Sequence, residues 1–247
     1  MAEFADPDAL PPLGFISIDL DIHRPPGDPY NEKTWPFPLI REMAEGSKVS
    51  QVVSSDQYDS AFIDRFVDAG LRLAARGCVG IITSCGFLAM AQADLAVRLP
   101  IPIATSSLAQ LPSVLALLPP DSCVGVLTYD ETKLGPKHLA SFVPDSWMPR
   151  VIVRGVPPGG HLRNMIRENG APYVHADIEA ELVATAKELV KSRPEIRAVV
   201  LECTNMPPSS KAMHAGLGGK IPVYDVYTMG RWFYSGLIRQ TPPDWVV

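Results

Sequence analysis

The chain repeats itself, and the repeat restricts the fold more than any other feature. "VGIITSCGF" (79–87) can be laid over "AVVLECTNM" (198–206), placing Cys85 over Cys203, 118 residues apart. "LPIPIATS" can be laid over "GKIPVYDV", placing Pro102 over Pro222, 120 residues apart. Two anchors that agree to within two residues over a 247-residue chain point to a duplicated unit the size of a small domain.

Each half carries the same rhythm. In the first, "LGFISIDL" (13–20) reads as a strand, followed by a polar, Pro-rich loop, "DIHRPPGDPYNEKTWPFP". "VSQVV" (49–53) reads as the second strand, and 55–77 reads as an amphipathic helix. Ser55 or Asp56 is the expected cap of that helix and Gly77 its stop. "VGIIT" is a buried strand, followed by a helix to about Val97 and the short strand "IPIAT" (101–105). The second half repeats this with strands at 122–130 and 149–156, a buried strand ending in a cysteine within 196–210, a short strand within 220–228, and a helix over 176–195 capped by Asp177. Buried strands alternating with helices predict parallel sheets covered on both faces. The expected fold is α/β: two pseudo-symmetric lobes, each a parallel sheet flanked by helices, with the active site in the cleft between them. Residues 1–115 with 226–247 form the first expected lobe and 116–225 the second, "TMGRWFYSGLI" (228–238) supplying a closing helix.

In an open parallel sheet, ligands bind beyond the carboxyl ends of the strands. Cys85 and Cys203 both lie at such an end, each just before an expected helix. Free N–H groups and the positive end of a helix there predict thiols that ionise more easily than usual. Gly86 leaves room for a ligand to reach the backbone, with Ser84 and Phe87 beside it. Thr204 and Asn205 offer donors at the matching place. Asp19 ends the first strand, and Thr128 and Tyr129 end its counterpart, so all three are candidate substrate contacts. Strand alternation turns Glu202 to the opposite face. Cys78 and Cys123 suit plain packing. "WPFP" (35–38) reads as a patch packed on its lobe.

Other chemistries lack their marks. There is no CxxC, HExxH, GxGxxG or GxxxxGK[ST] pattern, so neither a zinc site nor a nucleotide fold is supported. A net charge of −5 without a basic cluster speaks against nucleic acid and anionic membrane as partners. No apolar run reaches membrane-spanning length and the first residues do not read as a signal peptide, so the expectation is a cytoplasmic protein.

Two α/β lobes with a cysteine after a central strand in each resemble the aspartate/glutamate/hydantoin racemase superfamily, most sharply at "TSCGF" and "ECTNMP". "LTYDE" (127–131) is similar to the Thr-Pro-Tyr segment of the maleate isomerase and arylmalonate decarboxylase branch, without its proline. The resemblance implies catalytic roles for Cys85 and Cys203, a small-molecule carboxylate as substrate, and no cofactor or metal. It also implies dimers, which are common among such enzymes. The reading it favours is a cofactor-independent racemase or epimerase: one thiolate removes the proton next to a carboxylate or carbonyl and the other thiol returns one on the opposite face. The alternatives are a cis-trans isomerase, or a decarboxylase or lyase, acting through a cysteine. Arylmalonate decarboxylases have glycine at the first position, whereas this chain has Cys85. A non-catalytic binder of small acids is the reading from another class.

Overall fold

A computed structural model describes residues 10–167 and 169–239. The expected lobe ends at 1–9 and 240–247 lie outside the described residues. Among the described residues, eight strands form two four-stranded, wholly parallel sheets. The first contains β1 (Leu13–Ile18), β2 (Leu39–Ala44), β3 (Ile81–Thr83) and β4 (Ile103–Ala104) in the order β2-β1-β3-β4. The second contains β5 (Cys123–Thr128), β6 (Val151–Gly155), β7 (Ile196–Leu201) and β8 (Val223–Tyr224) in the order β6-β5-β7-β8. Strand for strand the two orders are the same, so the repeat in the sequence is a repeat in the fold. Helices α1 (Val49–Val52), α2 (Ser60–Ala75), α3 (Gln92–Arg98) and α4 (Leu111–Leu117) accompany the first sheet. Helices α5 (Pro136–Ala140), α6 (His161–Met165), α7 (His175–Ser192) and α8 (Ser210–Gly216) accompany the second. No helix among the described residues is long and apolar enough to cross a membrane.

The central strands are mostly apolar because both faces are covered: every residue of β1, β3 and β5 is buried, with Ser17, Thr83 and Thr128 near their carboxyl ends. Helix α2 shows how the cover is made. Phe62, Phe66 and Leu73 recur at helical spacing and face the sheet, each at most 4% exposed. Burying side chains of this size is worth roughly 1.5–3 kcal/mol apiece. The helix begins at Ser60, later than the expected 55, because the Asp59 side chain accepts the Phe62 N–H at 2.7 Å and caps it there. It ends at Ala75, and two residues on Gly77, at φ +80°, makes the turn that suits a residue without a side chain.

The second strand lies elsewhere than expected. "VSQVV" has strand-like composition but forms the short helix α1, and β2 is "LIREMA". β2 ends where Gly46, at φ +71°, turns the chain away, and Gln51 Oε1 then accepts the Lys48 N–H at 2.9 Å to close the helical turn. Local β preference loses here to turn chemistry and packing. Helix α7 begins at His175 after Val174, which leaves Asp177 in its first turn rather than at its cap.

"WPFP" packs down, as expected of a patch. Trp35 and Phe37 are buried and stack at 5.3 Å between ring centres. They meet α9 (Val226–Leu237), whose Gly230 lies under Trp35 and whose Tyr234 stacks on Phe37. The Asp225 side chain caps α9 by accepting the Thr228 N–H. Through this cluster, α9 lies on the first sheet.

Candidate active site

Cys85 stands two residues past the end of β3, and Cys203 two residues past the end of β7. Neither is followed at once by an α-helix. Gly86–Ala91 is a 3-10 helix ahead of α3, and Pro207–Ser209 is another ahead of α8. At Cys85 the expected helix does begin at once, in 3-10 form, with Cys85 at its N-cap and the Phe87 N–H as the donor; at Cys203 residues 204–206 intervene, and the donor is the N–H of Asn205.

Both thiols face one cavity of about 30 Å³, room for roughly two waters. The first lobe contributes Ile18, Leu20, Arg24, Ser84, Gly86 and Phe87, and the second contributes Tyr129, Ile166, Glu202, Thr204 and Asn205. Outside lies an open trough of about 990 Å³. Leu20, Val49, Val53, Tyr129 and Ile166 line both spaces, so a mostly apolar neck separates them.

The electrostatics overturn one expectation. Burial pushes both thiols well above the usual thiol range, and the Glu202 charge pushes them further. The single N–H donors, and Arg24 near Cys85, oppose this only in part. An exposed helix end would have favoured the thiolate. Burial beside a carboxyl group does the reverse.

Glu202 is the residue the sequence reading misplaced. The strand ends at Leu201, so alternation no longer governs the next side chain, and Glu202 turns into the cavity. It is 1% exposed. Its Oε2 accepts the Thr128 hydroxyl at 2.7 Å and the Tyr129 N–H at 3.4 Å. Burial raises its carboxyl to about 7, against the pull of those two donors. A Cβ on Gly86 would collide with Glu202 Oε1 and main-chain O, and would lie 2.8 Å from its Cγ. The space over Gly86, expected to admit a ligand, is filled by the protein's own carboxyl group.

The other expected contacts divide. Ser84, Gly86, Phe87, Tyr129, Thr204 and Asn205 reach the cavity with the two cysteines. Thr128 does not: it is fully buried and holds Glu202. Asp19 does not either. It lies in the outer trough, 3.8 Å from Lys48, because the chain turns outward after β1. Ser84 is tied down, its hydroxyl accepting the Ile18 N–H at 2.9 Å. The Tyr129 hydroxyl donates to the Ile166 carbonyl at 3.3 Å, and Arg163 lies over its ring.

Arg24 and Asp28 were missed altogether. They sit in the Pro-rich loop, which straps across the second lobe, with Gly27 against Pro208 and His23 against Tyr173. Arg24 is a largely buried cation at the cavity wall, 3.5 Å from Asp28. Asp28 is 1% exposed and accepts the Asn205 Nδ2 at 2.7 Å. Burial raises its carboxyl despite Arg24, the Tyr30 N–H and Asn205. Nothing periodic in the sequence marks these two residues. Glu202, by contrast, was signalled by being a lone acid at the end of an apolar strand.

Two parallel lobes of identical strand order, each with a cysteine beyond its third strand, have the fold of arylmalonate decarboxylase and glutamate racemase. Among solved structures, unliganded arylmalonate decarboxylase is similar over 95% of this chain and 96% of its own, with a TM-score of 0.57 and 19% identity. Glutamate racemase isoform RacE1 from Bacillus anthracis is similar over 91% of this chain and 80% of its own, with a TM-score of 0.55 and 13% identity. No protein-family profile matches the sequence. Among curated proteins, a dimethylsulfoniopropionate lyase of Durusdinium sp. clade D is 27% identical over 230 residues, 92% of this chain and 75% of that protein. Dimethylsulfoniopropionate lyase 5 of Emiliania huxleyi is 28% identical over 233 residues, and the match spans only 45% of its length. These sequence relatives are lyases, which favours the lyase alternative over racemisation.

Proposed function

We propose that the chain is a cofactor-independent lyase. A cavity thiolate removes the proton next to a carboxylate, and a sulfonium group on the following carbon departs. The observation that carries the reading is the convergence of two thiols and the Arg24 guanidinium on one small cavity. A guanidinium suits a carboxylate, and a buried one suits it better than an exposed one. Dimethylsulfoniopropionate is the substrate to test first, because it combines these groups and gives the lyases of similar sequence their name.

The electron accounting is simple. The α-proton moves to sulfur, the C–H pair becomes the new C=C bond, and the C–S⁺ pair returns to the departing sulfur. The products are an unsaturated acid and neutral dimethyl sulfide. Because the leaving group departs neutral, no second acid has to protonate it, and one thiol suffices as base. Racemisation would need both thiols, one on each face of the carbon. The cavity is smaller than the substrate, so entry requires the neck side chains to give way.

The test is release of dimethyl sulfide from dimethylsulfoniopropionate, followed in headspace gas, for the wild type, Cys85→Ala and Cys203→Ala. Elimination predicts that one substitution abolishes release and the other leaves a measurable fraction. If the wild type releases no sulfide but inverts and exchanges the α-proton of an amino acid in deuterated water, the chain is a racemase and this reading is wrong.

A further inference from the structure

Glu202 is a buried acid without a cation. Acids are almost never buried this deeply unless they are paired. At 1% exposure it has two donors, Thr128 and Tyr129, and both serve Oε2. Oε1 has no hydrogen-bond partner among the described residues, yet it is not sealed into the protein. It lies over Gly86, and Glu202 and Gly86 line the same cavity, so that cavity is the space Oε1 opens on. An unpartnered carboxylate oxygen on a cavity wall calls for a ligand that brings positive charge.

We propose that Glu202 selects onium substrates: its Oε1 faces the cationic group of a zwitterion whose carboxylate lies on Arg24. This deepens the elimination reading and rests on it for the choice of an acid with a cation one carbon beyond the reacting C–H.

The placement of the two charges suits such a molecule. Cys85 feels both Glu202 and Arg24. Glu202 responds to burial, Thr128 and Tyr129, and Arg24 is not among its influences. The acid and the guanidinium therefore stand apart on the cavity wall, with Cys85 in range of each. A plain carboxylate adds negative charge to a cavity that already holds Glu202, whereas a zwitterion adds no net charge and leaves neither end unpaired. The rest of the wall includes Ile18, Leu20, Val52, Phe87 and Ile166. These suit the methyl groups of an onium, which has no N–H to satisfy. Other groups do not take the place. The Tyr58 hydroxyl is occupied at 2.8 Å from the Val52 and Phe87 carbonyls, and Asp28 is engaged with Arg24 and Asn205. Cys85, Cys203 and Tyr58 all feel the Glu202 charge, and none is a cation. An onium beside Glu202 also cancels the charge that holds both thiols up, so the substrate itself brings a thiol closer to ionisation.

Two acids test this: the trimethylammonium analogue of dimethylsulfoniopropionate and its uncharged tert-butyl counterpart, which differ only in nitrogen for carbon. Binding is measured by titration calorimetry at about pH 8.5, where Glu202 is ionised. The wild type is expected to bind the onium at least about tenfold more tightly. In Glu202→Gln the onium should weaken by about that factor while the uncharged acid binds no worse, so the gap closes. Equal affinities in the wild type overturn the proposal, as does a gap that survives in Glu202→Gln or a wild type that binds neither acid. If the variant fails to fold, the wild type decides by itself. Its gap must shrink at about pH 5, where the carboxyl is protonated, and a gap that holds there overturns the proposal. Headspace release of dimethyl sulfide is scored separately. Release without onium preference sinks this proposal and leaves the elimination reading, and preference without release does the reverse.

Discussion

Glu202→Gln should make the folded protein more stable in alkali relative to wild type, and by an amount the structure sets. Burial holds the Glu202 carboxyl at about 7, against an ordinary value of 4.5. Between those values the folded chain keeps a proton that the unfolded chain has released. Stability therefore falls as pH rises from 4.5 through about 7, and the loss is complete above that. At ~1.4 kcal/mol per pH unit, the cost of ionising Glu202 in place is about 3 kcal/mol. Glutamine has nearly the same shape, can still accept from Thr128, and does not titrate. Urea unfolding of both proteins at about pH 4 and about pH 9 measures the effect, at equilibrium and with thiols kept reduced. Groups common to both, such as Asp28 and Asp225, cancel in the comparison. The difference in unfolding free energy should shift toward the variant by about 3 kcal/mol between the two pH values. A difference that does not change with pH would refute the reasoning, because it would mean that Glu202 is not held protonated by burial.

Gly86→Ala places a methyl group against Glu202 and should cost ~1–3 kcal/mol in unfolding free energy, with loss of turnover, as measured by urea midpoint and headspace assay. Arg24→Lys keeps the charge but not the two-pronged geometry, so KM for a carboxylate substrate should rise about tenfold or more while the melting temperature holds. His138 is held down to about 4 by burial, so stability should fall as pH drops from 6.5 toward 4. His138→Asn retains an acceptor for the Gly135 N–H now bound at 3.2 Å, and should lose less stability over that range in thermal melts.

Much of the architecture was legible because it rests on features the sequence displays directly. Buried strands such as "VGVL" and "AVVL" must be apolar, and helix α2 must keep its apolar spacing. Duplication then made each half a check on the other. β2 was misplaced because "VSQVV" and "LIREMA" compete on composition, and the decision rests on a turn at Gly46 and packing against β1. In the site, the cysteines and their neighbours were legible from their place after a strand. Arg24 and Asp28 were not, since a loop has no period and only folding brings it over Asn205. The state of the thiols was also hidden. The dipole argument assumed water at a helix end, whereas the folded chain surrounds both sulfurs with apolar side chains and a carboxyl group.

The contacts between the two cysteine turns explain why Gly86 has no side chain. Align the lobes on their cysteines, and Ser84 matches Glu202 while Gly86 matches Thr204. The lobes meet through those same pairs. The residue before Cys203 packs on the residue after Cys85, Glu202 over Gly86. The residue after Cys203 bonds the residue before Cys85, the Thr204 hydroxyl donating to the Ser84 carbonyl. One contact is the pseudo-twofold image of the other, but the sizes are exchanged: a large side chain meets glycine in one, and two small hydroxyl residues meet in the other. Gly86 is thus the complement of Glu202.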